Sequence, residues 1–110
     1  MAKLECTVTG DFDDVLRRII DGVENSSFTS SLEDGSDFIV GNTRCSVRVF
    51  ERFSYMGGNR VSLNLTLFQS GDEPVRLSAI TSGGSQAMFF KINTLGEESF
   101  LQVLKEVLGV

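Results

Sequence analysis

The chain has 110 residues, 41% apolar and 23% charged, with a net charge of −5, which fits one globular domain able to bury its own core. It contains no histidine, and this removes the commonest general base and transition-metal ligand, and with them Ser-His-Asp and Cys-His catalysis and most zinc sites. The acidic balance argues against nucleic acid or an anionic membrane as partner, and no apolar run reaches the length of a membrane span.

The start, MAKLECTVTG, carries one lysine and no apolar stretch of the secretory kind, so the chain reads as cytoplasmic. From Lys3 to Thr9 the residues alternate, with Leu4, Cys6 and Val8 on one side, as in a half-buried strand. Gly10 breaks the strand. Asp11, Asp13 and Asp14 suit the positive end of a helix dipole, and Phe12, Val15, Leu16, Ile19, Ile20 and Val23 form its apolar stripe. Phe28 to Glu33 predicts a second strand. Glu33 to Asp37, EDGSD, has turn chemistry, and Phe38 to Thr43 fits either a short strand or a loop.

Arg44 to Phe53 alternates, with Cys45, Val47, Val49 and Phe53 on the side expected to face inward. Ser54 to Asn59 is a turn. Arg60 to Phe68 alternates again, with Val61, Leu63, Leu65 and Leu67 inward. After a turn at Ser70 to Glu73, Pro74 opens a strand with Val75, Leu77 and Ala79 inward. A bend at Gly83-Gly84 leads to a strand through Met88, Phe90 and Ile92. Thr94 to Glu97 then fits a capping box for a helix whose stripe is Phe100, Val103, Leu104, Val107 and Leu108. Short turns between successive strands imply an antiparallel meander. The expected fold is α+β: a two-layer sandwich of five to six mostly antiparallel strands with two helices on one face, in the order β-α-β-β-β-β-β-α.

ITSGGSQAMFFKI, Ile80 to Ile92, invites comparison with a phosphate-binding loop. A Walker A loop needs a lysine directly after its second glycine and then a helix; here the glycines are adjacent and Lys91 comes late, so a hairpin bend is the simpler reading. The carboxylate pairs, such as Asp13/Asp14 and Asp72/Glu73, lie at helix starts or in turns, where acids cap and are solvated. No catalytic residue, metal site or cofactor follows from the sequence. Cys6 and Cys45 read as reduced core thiols.

Parity turns Arg44, Arg48, Phe50 and Arg52 outward on one strand, Arg60 and Phe68 on the next, Arg76 and Ile80 on the third, and Phe89 and Lys91 on the last. Six of the ten basic residues would thus share one sheet face with aromatic neighbours. A solvated face would explain this, with arginine stems over phenylalanine rings. A homo-oligomer interface, most simply a dimer, would too, because Phe and Arg are favoured there. So would an anionic ligand: a phosphorylated small molecule or a stacked single strand. A small apolar cavity between sheet and helices is a fourth reading. The choice made on the residues is a non-enzymatic binding or self-association module, with a small-ligand binder as the alternative.

LEDGSDF (Leu32 to Phe38), RCSVRVFERFSYMGGNRVSLNLTL (Arg44 to Leu67) and SAITSGGSQAMFFKINTLGEESFL (Ser78 to Leu101) resemble a family of small bacterial proteins known only as a domain of unknown function. The resemblance spans nearly the whole chain. It implies a stand-alone cytoplasmic protein with no assigned activity, cofactor or catalytic residue. The element order is similar to that of TBP-like and helix-grip folds.

Overall fold

The computed structural model describes residues 1–53, 60–83 and 90–110, with side chains of the last helix from Glu97 onward. Five strands, β1 (Ala2–Val8), β2 (Ser31–Val40), β3 (Thr43–Phe53), β4 (Arg60–Ser70) and β5 (Val75–Gly83), form one open antiparallel sheet in the order β1-β5-β4-β3-β2. Helices α1 (Phe12–Glu24) and α2 (Phe90–Leu108) complete an α+β fold. The α1 stripe follows the expected spacing: Phe12, Val15, Leu16, Ile19 and Val23 are buried, and the Asp11 carboxylate caps the helix by accepting from the Asp14 amide at 3.2 Å.

Both helices contribute to the same core as the inward residues of the sheet. Phe100, Leu101 and Leu104 of α2 join the α1 stripe against Val61, Leu63, Leu65 and Leu67 of β4 and Val75, Leu77 and Ala79 of β5. A Cβ on Gly22 would lie 2.5 Å from Val107 Cγ2, so this glycine admits the close approach of α1 to α2.

Three element boundaries differ from the sequence-based expectation. EDGSD does not turn; it lies inside β2, which pairs with β3 along its length and absorbs Glu33 in a bulge between Leu32 and Asp34. Phe28 precedes the strand and is fully exposed. The Phe38 to Thr43 segment is strand, turn and strand: Val40 stands opposite Thr43, with Gly41-Asn42 between them and Gly41 at a φ of 58°. α2 begins at Phe90, ahead of the Thr94 capping box, so Phe90 to Ile92 belong to the helix and not to a last strand. The bend after Gly83 lies outside the described residues, as does Phe89.

The fourth difference concerns β3. Phe53 pairs with Arg60, and Phe50 with Leu63. Odd positions of β4 therefore stand opposite even positions of β3, and opposed residues share a face. Because Leu63 and Leu65 are fully buried, the even side of β3 faces the helices. Phe50 is fully buried, while Cys45, Val47 and Val49 are only half-buried and Phe53 is exposed.

Candidate functional site

Four residues expected on an outward recognition surface lie on the helix side of the sheet. Phe50 is part of the core. The Arg44 guanidinium stacks on the Phe12 ring, 4.2 Å from its centroid, and its two terminal nitrogens donate to the Asp13 carboxylate at 2.7 and 3.2 Å. That pairing holds the Asp13 carboxyl below, and the Arg44 guanidinium above, their ordinary pKa.

Arg48 Nη2 lies 3.0 Å from Asp37 Oδ1, and Arg48 also donates to the Val47 carbonyl at 2.8 Å. The Asp37 carboxylate accepts from the buried Ser46 hydroxyl at 2.6 Å. Ser46 first and Arg48 second hold Asp37 below the usual carboxylate range. Gly35 makes this possible: a Cβ there would come within 2.7 Å of Arg48 Cδ. Arg52 lies over the Phe100 ring at 4.6 Å, and burial lowers its pKa. These stems and heads seal the margins of the helical layer. The cluster is a set of internal pairs on the covered side of the sheet.

Arg60, Phe68, Arg76 and Ile80 do share the other, helix-free face. Lys91 lies on α2 and not on a strand of the sheet, and Phe89 is not among the described residues. The register across β2, β3, β4 and β5 places Phe38, Cys45, Phe68 and Arg76 in one row. A second row holds Ser36, Val47, Thr66 and Ser78, and a third holds Asp34, Val49, Asn64 and Ile80.

Large apolar side chains stand in the open on this face: Phe38 is 59% exposed, Phe53 42%, Phe68 40% and Ile80 37%. Phe38 and the half-buried Cys45, Val47 and Val49 were not read from the sequence as part of it; counting residues across the β3–β4 connection would have found the last three. The charge on the face is balanced. Lys3 pairs with Glu5 at 3.0 Å and Arg60 with Glu51 at 3.1 Å. Removal of Arg44, Arg48 and Arg52 to the helix side leaves a mixed apolar and neutral surface where a basic one was expected.

Cys6 faces the core, and burial raises its thiol pKa. Cys45 lies on the opposite face, three strands away in the sheet order, and both thiols are free. Among the described residues no group of three or more Cys, Asp or Glu is placed to hold a metal ion, and no helix is long and apolar enough to cross a membrane.

No curated protein and no solved structure matches the chain. One family model does, over residues 1–109, and it covers β1 through α2. The chain therefore belongs to DUF6054, a family of unknown function.

Proposed function

We propose that the chain is a non-enzymatic self-association module that works by burying the helix-free face of its sheet against another protein surface. The observation that carries this reading is the exposure of Phe38, Phe53, Phe68 and Ile80 on one continuous face. Large apolar side chains left open on one face mark interaction sites, because their burial releases water at roughly 25 cal/mol per Å². The arginines that would favour an anionic ligand, Arg44 and Arg48, already have carboxylate partners within the chain. Two free thiols on opposite sheet faces suit a reducing compartment, and we assign the module to the cytoplasm on that ground.

Phe68 lies on the central strand of the sheet, in one row with Phe38 and Cys45. Light scattering on the wild type from micromolar concentrations upward is expected to give a mass above the 12.1 kDa of one chain. Phe68→Glu places a charge in the patch and is expected to return the mass to that of the monomer. Equal masses for the two proteins at every concentration would overturn the reading.

A further inference from the structure

On this face, two ions of opposite sign have no counterion among the described residues. Lys3 and Arg60 are matched by Glu5 and Glu51. Arg76 and Asp34 are both exposed and, among the described residues, take part in no ion pair; the Asp34 carboxylate accepts from the neighbouring Gly35 amide at 2.8 Å. We propose that the occupant of the face is a second copy of this chain, packed sheet to sheet about a two-fold axis that brings Arg76 of each copy to Asp34 of the other. The inference rests on the self-association reading above and adds the orientation of the partner.

The positions follow from the register. Arg76 is on β5, in the row of Phe68, and Asp34 is on β2, in the row of Asn64. β5 and β2 are three strand spacings apart in the sheet order, or about 14 Å at ~4.8 Å per spacing. The Phe68 and Asn64 rows are four residues apart along β4, also about 14 Å at ~3.4 Å per residue. The two ions thus lie at opposite corners of a near-square, about 20 Å apart on that lattice. The midpoint falls between Val47 and Thr66. A two-fold axis in the plane of the face, through that midpoint and perpendicular to the diagonal, exchanges the two corners.

An isologous contact needs a patch that complements itself. A uniformly basic face would repel its own copy; this one presents each unmatched charge with an opposite charge. The same axis passes near Phe38 at one end and Ile80 at the other, the remaining corners of the square. Each would meet its own counterpart, placing apolar pairs between the two ionic ones. The strands of the copies then cross near a right angle, one of the two established ways for sheets to stack. Five strands give a width of about 24 Å, and the shared rows a similar length, so the projected area is on the order of 600 Å². Side-chain relief brings this toward the ~800 Å² that each partner contributes to a standard interface.

Sedimentation velocity on four proteins tests the pairing: wild type, Arg76→Glu, Asp34→Lys and the double variant. Each single reversal places like charges together twice and is expected to weaken dimerisation by about tenfold or more. The double variant restores opposite charges and is expected to dimerise within about threefold of the wild type. Both side chains are exposed, and unchanged urea midpoints of dilute protein would show that folding is unaffected. Single reversals that leave the dimer intact, or a double variant weaker than either single one, would overturn the pairing. If Phe68→Glu still abolishes the dimer in that case, the face is the interface and only the orientation is wrong. A wild type that stays monomeric at millimolar concentration removes both.

Discussion

At Phe50 the ring is fully buried opposite Leu63, and truncation leaves a hole that neighbouring strands and helices cannot close. Phe50→Ala is expected to lower unfolding free energy by about 3–5 kcal/mol, read from the urea midpoint. Phe68→Ala, at a 40% exposed position, is expected to cost much less in dilute protein; equal losses would place the two rings in equivalent surroundings and contradict the β3 register. Asp37 gives a pH test. Its carboxyl is held below the ordinary value by Ser46 and Arg48, so the folded state favours the charged form. The resulting stabilisation is present above the unfolded-state pKa of about 3.9 and is lost as pH falls through the lower folded value. Asp37→Asn is therefore expected to be less stable than the wild type near neutrality and to converge on it as pH falls through that lowered folded-state value. A difference that stays constant from neutral to acid pH would show that the charge of Asp37 contributes nothing. The arginines and aromatics were legible as an unusual set, but their pairing with Asp13 and Asp37 was not, because neither acid is close in sequence to its partner.

At the scale of elements, periodicity alone identified β1, α1, β4 and β5 with their inward sides. It misassigned β3, since both sides of that strand carry apolar residues: Cys45, Val47 and Val49 on one, Phe50 on the other. Parity across the hairpin decides between them. Phe53 closes against Arg60, so six residues lie between the paired ends, and an even count places odd residues opposite even ones. β2 reads in the sequence as two pieces, a strand from Phe28 to Glu33 and an undecided segment from Phe38, because Asp34-Gly35 resembles a turn, although Gly35 serves to make room for Arg48. Gly22 likewise looks like a weak point in α1 but lies against Val107. Gly22→Ala should gain up to ~1 kcal/mol in helix propensity, yet the stiff β-branched neighbour leaves no space. Overpacking there is expected to make the variant less stable by about 1–2 kcal/mol overall, seen as a lower Tm. A raised Tm would show that the two helices can separate without cost.

At the scale of the whole molecule, two amphipathic helices can cover only one side of a five-strand sheet, and the α+β layering follows from that limit. The other side then depends on its own residues to remain compatible with water. Its Ser, Thr and Asn positions on β4 and β5 meet that demand, whereas Phe38, Phe53 and Phe68 do not. The self-association reading turns on that surplus of apolar surface. Cys45 reports on it directly, being a half-buried thiol in the row between Phe38 and Phe68. In a Cys6→Ser background, the initial rate of Cys45 alkylation per molecule can be followed across a hundredfold range of protein concentration. Occupation of the face by a second copy predicts a rate that falls as concentration rises, with the fall abolished in Phe68→Glu. A rate independent of concentration, in a sample whose mass shows association, would place the contact elsewhere on the molecule.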